Sequence, residues 1–510
     1  MANPIMNAAR LAHAGFILAR YDALLPPDQV AKAPWLVRTA LKIVQLGNTP
    51  NIIGGQHNQL TLALSRLGPS YIKLGQFLAT RPDMIGAKRA FELKALQDKL
   101  PPFGQADAEA VVQAELGKPV SVLFKSFGPP IAAASIAQVH KAETLDGKQV
   151  AVKILRLDVE RRFANDIESF GFAARTAQRF SKEARRLRPV DAVAMLRESM
   201  VHEVDLRMEA AALSEMAENS ADDPGFRVPQ VQWSLSSKRV LTTEWIDGTP
   251  MADVEALRNR GLDLEALGDT VIQSFLRHAI RDGFFHADMH QGNLFVDQSG
   301  TLVALDFGIT GRLTEEERLF LAEILYGFIT RNYRRIAQVH FDAGYVPPTE
   351  DVEIFAQALR AIGEPILGLS SGDISMSRLL TQLFEVTEQF NMQAQPRLLL
   401  LQKTMVVTEG VARTLNPNLN IWKTSEPVVR QWIERKLGPL GKIEQAMGSA
   451  GTLAGLALRV PRLVEEAHQV HRRLDAFVAA QSAPPNPWPS RLLAVCAVAL
   501  VVIATRLVLL

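Results

Sequence analysis

The spacing of apolar residues changes several times along the chain, and each change predicts an element. Leu60, Leu64, Leu67, Tyr71, Leu74 and Leu78 recur at spacings of four and three, the stripe of an amphipathic helix. Gly68-Pro69 predicts a break and restart within it. Lys73, Gln76 and Thr80 fall on another face, and Gly75 permits close approach of another backbone. From Phe127 to Arg156 the pattern becomes strand, small-residue loop, strand, Asp146-Gly147 turn, strand. In the third strand Val150, Val152 and Ile154 share one face, which puts Lys153 on the other with Ala151 and Leu155. HEVDLRMEAAALSEMAE predicts a helix carrying Glu203, Asp205 and Glu209 in its first turns. RVLTTEWIDGTP reads as a strand running into a turn. Beyond it, Thr314 and Glu317 predict a capping box that opens a helical region, and 354–477 is also mostly helix-like.

The end of the chain follows a different pattern. Residues 492–510 are apolar except for Thr505 and Arg506. As a helix the segment is about 28 Å long, against a hydrocarbon core of roughly 30 Å. Pro484, Pro485, Pro487 and Pro489 stop any helix before it, Trp488 and Arg491 suit a membrane interface, and Arg506 can snorkel to the far side. A C-terminal transmembrane helix is the expectation; the alternative, a buried helix, would normally carry a polar stripe that 492–504 lacks. Arg459, Arg462, Arg472 and Arg473 face either solvent or anionic headgroups beside the anchor. The apolar run of residues 1–28 is broken by Arg10, His13 and Arg20, is too short to span, and lacks the order of a secretory signal. The bulk of the chain is therefore expected in the cytosol, with this run either an amphipathic helix at the membrane or an ordinary packed one.

Composition narrows the function. The chain has 510 residues, 47% hydrophobic and 22% charged, a folded composition with room for about three structural units. Lys+Arg 56 against Asp+Glu 54 leaves a net charge of +2, which gives none of the broad basic field of a nucleic-acid binder. A single Cys excludes an internal disulfide and a multi-Cys metal site. The mean hydropathy of +0.04 is in good part the C-terminal segment.

A lysine facing the inside of a β-lobe needs an anion. The VAVK string around Lys153 is similar to the strand that carries the phosphate-binding lysine of protein kinases, and Ala132, Ala133 and Ala134 stand where a kinase has its Gly-rich cover. Such a lysine needs a carboxylate partner on a helix, and Glu209 is the candidate. FFHADMHQGNLFV then supplies Asp288 and, five residues on, Asn293, while LVALDFG supplies Asp306 eighteen residues after Asp288. This is the spacing of a kinase catalytic loop and its DFG. Asn293 and Asp306 can share a Mg²⁺ over the phosphates, which leaves Asp288 to orient or deprotonate a hydroxyl or water. A competing reading pairs His286 with His290 as helical zinc ligands. Gly292, the strand-like NLFV and the missing acidic base of an HExxH site weigh against it.

KLGQ, AAAS, VAVK, EVD, HADMHQGN and LDFG, in this order, resemble the UbiB family of atypical protein-kinase-like proteins linked to ubiquinone biosynthesis. The resemblance runs from about Tyr21 to Tyr345, with weaker likeness beyond. It implies an α+β, bilobal kinase-like fold with an N-terminal helical extension over 1–118 that carries the KxGQ motif. An N-lobe over 119–250 and a C-lobe core over 251–345 follow, then a helical extension over 346–482 and a proline hinge with a membrane anchor over 483–510. It also implies ATP and Mg²⁺ as cofactors. Ile131, Ala132, Ala133, Ala134, Ser135, Val139, Lys153, Glu209, Glu244 and Ile246 would line the nucleotide, the last two at a hinge against adenine. Asn293 and Asp306 would hold the metal, with Asp288 and Lys73 at the reaction. Lys73 and Gln76 would lie over the groove where a kinase lays a peptide, with Lys73 held by Glu203 and Asp205.

Alanines in place of glycines should restrict the cover loop and change nucleotide preference. Family members are regarded as ATPases or unorthodox kinases, so the implied function is an ATP- and Mg²⁺-dependent atypical kinase-like ATPase of the bacterial inner membrane, with its bulk in the cytoplasm. It would support ubiquinone (coenzyme Q) synthesis by presenting lipid and quinone precursors to the biosynthetic enzymes. Alternatives are a small-molecule or protein kinase with a hydroxyl acceptor, and an ATP-switched scaffold. A homodimer is admitted and nucleic acid is not. The chain departs from the family at Gln291 and Leu157, where Pro is usual, and at Met208, where Arg is common; none of these removes a proposed ligand.

Overall fold

A computed structural model of the chain describes residues 4–21, 59–79, 100–180, 188–368 and 396–437, with a few single positions between them. Residues 1–432 form one compact unit; of the second, 433–510, only the end of the helix Ile421–Leu437 is described. Among the described residues no helix is long and apolar enough to cross a membrane. The 492–510 segment expected to span, and the four arginines between 459 and 473, lie outside them.

The first sheet is antiparallel, in the order β1 (Phe124–Ala133), β2 (Ala137–Thr144), β3 (Gln149–Leu155) and β5 (Val240–Glu244), with the two-residue β4 (Phe226–Arg227) belonging to another sheet. Gly147 takes a φ of +85° in the predicted β2–β3 turn, a conformation only glycine adopts cheaply. Val150, Val152 and Ile154 are wholly buried against Ala108, Val111 and Val112 of the helix Gln105–Leu116. β1 forms the outer edge. Its register against β2 slips between Phe124 and Ser126 and again on either side of Pro130, where Pro129 and Pro130 cannot donate to the ladder. The segment 230–232 lies along the other edge: Gln232 N–H donates to Thr242 O and Glu244 N–H to Gln230 O, each over 2.8 Å.

The second lobe is mainly helical around two small sheets. One runs β4–β9–β8–β6, where β6 is Gly248–Pro250, β8 Leu294–Asp297 and β9 Leu302–Ala304; the other pairs β7 (Phe284–His286) with β10 (Thr310–Arg312). β7 and β8 flank the Asp288 loop, and the Asp297–Thr301 turn folds β8 back on β9 before Asp306. A helical layer follows, built on Tyr333, Ile336, Phe355, Leu359 and Phe390. The capping box at its start is present: Thr314 Oγ1 accepts from Glu317 N–H and Glu317 Oε2 from Thr314 N–H.

Two expectations from the sequence need correction. Gly68, at φ +103°, does break the helix into Gln59–Leu67 and Pro69–Ala79, but of the stripe in the second piece Tyr71 is buried, beside Ile72 and Gly75, while Leu74 and Leu78 are only half-buried. What approaches Gly75 is side chain rather than backbone, since a Cβ there would lie 2.6 Å from Leu96 and 2.7 Å from Leu64. The single helix predicted across Glu203, Asp205 and Glu209 is two. Pro189–Glu203 ends at Glu203, and Asp205 caps Leu206–Asn219 by accepting from Arg207 N–H. A helix-prone sequence yields here because an Asp two residues before a backbone donor competes for it.

Candidate active site

Three of the expected residues meet at one point. Lys153 projects from β3 and donates to both carboxylate oxygens of Glu209, at 2.8 and 2.9 Å, and to Asp306 Oδ1 at 3.1 Å. Glu209 sits in the first turn of Leu206–Asn219 and is buried; Asp306 follows β9 with its side chain half open to solvent. Asp306 adopts a φ of +55°, the left-handed region that Asp and Asn reach with less strain than other side chains, and its Oδ1 accepts from Gly308 N–H over 3.3 Å.

One ammonium between two carboxylates sets the electrostatics. Burial opposes the Lys153 charge, but Asp306 and Glu209 outweigh it and hold its pKa above the usual lysine range. Burial, aided by Asp306, pushes Glu209 up to about 7 despite Lys153, whereas Asp306 is held down to about 2 because Lys153 outweighs the crowding around it.

Glu209 therefore binds its proton more tightly folded than unfolded. Its contribution to stability is full below its ordinary 4.5 and is lost as pH rises through about 7. Melting temperatures of the ligand-free protein and of Glu209→Gln, taken from pH 5 to 8, should show the variant gaining on the wild type as pH rises. Parallel profiles would contradict this.

The 287–293 loop is held by its own backbone and by His286. His286 is buried; its Nδ1 accepts from Asp288 N–H at 3.0 Å, so its Nε2 carries the proton donated to Leu305 O at 2.9 Å. Burial lowers its pKa, in keeping with a neutral ring. Both nitrogens are occupied, which removes His286 as a zinc ligand. Asn293 Nδ2 donates to Asp288 O at 3.1 Å and Leu305 N–H to Asn293 O at 2.7 Å, so the Asp288 loop and the Asp306 turn are laced together. The Asp288 carboxylate stays about a third exposed, 3.6 Å from His290 Nε2.

The remaining expected residues are spread around this point. Val139 pairs with Lys153 across the β2–β3 ladder. Ala132 and Ala133 end β1, and Ala134 N–H closes the turn onto Ala137 O at 2.8 Å, with Ser135 buried inside it. Ile131 is half-exposed. The Glu244 carboxylate is taken by Arg227, 3.0 Å from each oxygen, and the Glu244 and Trp245 amides by Gln230 O and Gln149 O. Ile246 is buried beside them. Lys73 Nζ lies 2.7 Å from Glu203 Oε2. The expected second acid, Asp205, is instead bidentate to Arg207 because it caps the following helix, which corrects the proposed Glu203–Asp205 pair around Lys73.

Sequence reasoning passed over two further contacts. Thr404, on the helix Pro396–Leu415, donates to Ala287 O at 3.1 Å, so that helix touches the residue before Asp288. Asp223 binds His278 and Arg281, whose Nη2 also reaches Asn219 O at the end of the helix that carries Glu209; these neighbours outweigh burial and depress the Asp223 pKa. The first has no local sequence signal. An Asp before the 224–225 Pro-Gly turn could have marked the second.

Residues 95–340 match the ABC1 atypical kinase-like domain, and 359–420 match the UbiB helical domain. Among curated relatives, a protein of Marinobacter nauticus named "Probable protein kinase UbiB" is 37% identical over 90% of this chain and 84% of its own length. One of the same name from Pseudomonas paraeruginosa is 39% identical over 85% of this chain and 80% of its own. A solved chain, titled as the complex of Rv3197 with erythromycin from Mycobacterium tuberculosis, is 25% identical with a TM-score of 0.49 and covers 77% of this chain and 98% of that one. The kinase-like motifs, the two domains in this order and relatives aligned along most of their length make this chain a member of the UbiB family, with its ABC1 atypical kinase-like fold.

Proposed function

We propose that the chain is an ATP- and Mg²⁺-dependent atypical kinase-like ATPase that works at the bacterial inner membrane in support of ubiquinone biosynthesis. The observation that carries this reading is the Lys153–Glu209–Asp306 cluster, a lysine held by a helix carboxylate beside a left-handed Asp at the end of a strand. In this reading Lys153 turns from Asp306 to the α and β phosphates while Glu209 keeps it in place. The Asn293 amide oxygen, which the Nδ2 bond to Asp288 O does not use, and the half-exposed Asp306 carboxylate offer two hard oxygens. Asn293 and Asp306 would hold Mg²⁺, which suits hard oxygen ligands and would supply charge neutralisation there. Asp288 accepts a proton from the attacking water as its oxygen bonds the γ phosphorus and the bond to the β-bridging oxygen breaks, giving ADP and phosphate.

The N-terminal helices with Lys73 cover the peptide groove, and 483–510 anchor the chain beside its lipid and quinone precursors, supported by the apolar run after Pro489. The domain boundaries at 118, 250, 345 and 482 follow this division. A second reading, phosphoryl transfer to a hydroxyl acceptor, is favoured by the relatives named as protein kinases.

The deciding experiment compares Asp288→Asn with Lys153→Ala, in ATP hydrolysis by the full chain and in rescue of quinone synthesis. Both should lose turnover by about 100-fold or more, and neither should rescue. Rescue by Asp288→Asn alone would turn the reading into an ATP-switched scaffold, and labelled phosphate on an extractable metabolite would favour the second reading.

A further inference from the structure

Arg156 follows β3 immediately, three residues beyond Lys153, and joins three pieces of chain. Its own N–H donates to Ile136 O at 2.8 Å. Its guanidinium reaches Ala134 O through Nε at 3.2 Å and Nη2 at 2.9 Å, and Nη2 also reaches Pro101 O at 2.7 Å. The same group lies 5.5 Å from the centroid of the Phe103 ring. Both ends of the Ala134–Ile136 turn and the segment that enters the lobe from the N-terminal helices are therefore tied to one residue, Ile136 by its backbone and the other two by its guanidinium.

That segment is anchored from below as well. Phe103 donates its N–H to Gln138 Oε1 at 2.8 Å and accepts from Gln138 Nε2 at 3.4 Å, as a strand neighbour would. Gln138 Nε2 also meets His140 Nε2 at 2.9 Å. An amide NH₂ only donates, so His140 accepts there and donates through Nδ1 to Gly128 O at 2.9 Å. Gln138 and His140 are fully buried, so the pair has no water to exchange with and one arrangement satisfies it. The strap at 101–103 is thus a fixed support against which Arg156 holds the turn.

A trans peptide points its C=O and the following N–H to opposite sides. Pinning the Ala134 carbonyl toward Arg156 therefore fixes the direction of the Ser135 N–H. In a loop that covers phosphate, that direction decides whether backbone dipoles face the anion. We infer that Arg156 is a positioning residue that sets the conformation of the Ala134–Ile136 turn and, through Pro101, makes the phosphate cover depend on the N-terminal helical extension. The inference rests on the nucleotide reading above for its function, but not for its geometry.

The test uses the full chain and the variants Arg156→Lys and Arg156→Gln. Lysine keeps the charge without the planar fork, and it stands in should the glutamine variant fail to fold. Amide hydrogen exchange over 131–137 without nucleotide should rise about tenfold in Arg156→Lys. MgATP should bind about tenfold more weakly, with kcat at saturation within about twofold of wild type. Unchanged exchange at the turn overturns the positioning role whatever the cleft binds. Raised exchange with unchanged MgATP affinity overturns the link to the phosphate cover. A wild-type chain that binds no nucleotide would fail the function proposed above, and exchange at the turn would still decide for or against Arg156.

Discussion

Asp306→Asn should abolish ATP turnover, lowering kcat/KM by roughly 1,000-fold while leaving the protein folded. The separation of the two effects follows from the backbone. Asp306 is held at a φ of +55°, and asparagine reaches that region as readily as aspartate, so the substitution changes charge without forcing the turn to move. Lys153 keeps Glu209 at 2.8 Å as its partner, and no buried ammonium is left unpaired. What disappears is the carboxylate that bonds Lys153 at 3.1 Å and, in the proposed function, would hold the metal. Phosphate release measured with MgATP, alongside a melting curve, checks both halves. A variant that hydrolyses ATP at half the wild-type rate would remove the proposed mechanism.

The second large effect is on stability. His286→Ala should destabilise the protein by about 3 kcal/mol, read as the shift of the urea unfolding midpoint. The ring fills a buried place against Phe307, with centroids 4.6 Å apart, and serves Asp288 N–H and Leu305 O at once. Alanine leaves a cavity and two partly buried backbone groups without that partner. The loss should also depend on pH. The imidazole pKa is lowered on folding, so its contribution is present above the ordinary 6.5 and fades as pH falls from there through the folded value. The gap between wild type and variant should therefore narrow in acid. A gap that stayed constant from pH 7.5 to 5 would assign the loss to the cavity alone.

Where sequence and structure agree, the signal was local. VAVK places Lys153 by alternation alone, Asp146-Gly147 needs only the glycine's positive φ, and Thr314 with Glu317 needs only three residues of separation. The Asp288 loop and the Asp306 turn are brought together because two short strands and a tight turn separate them. Asp205 was misread because cap and helix interior look alike until the Arg207 amide is seen to turn toward its side chain. Gly75 shows a small residue but not that Leu96 fills the space above it. Arg156 and Thr404 were illegible for a simpler reason. Each donates to carbonyls of residues far away in sequence, Pro101 and Ala287, and a carbonyl is the same whatever side chain it belongs to. Contacts of that kind leave no mark on composition or period.

The first sheet's two borders bear on how the protein behaves in concentrated solution. An open strand border is a template on which a second molecule can add a strand and begin a growing aggregate. At β1 the adjacent Pro129 and Pro130 and the slipped register leave no continuous run of donors to copy. At β5 the 230–232 segment already occupies the place an intruder would take, bridging Val231 to Thr243. Neither border offers an intermolecular strand a start, so the first lobe resists edge-to-edge polymerisation even where many copies crowd together.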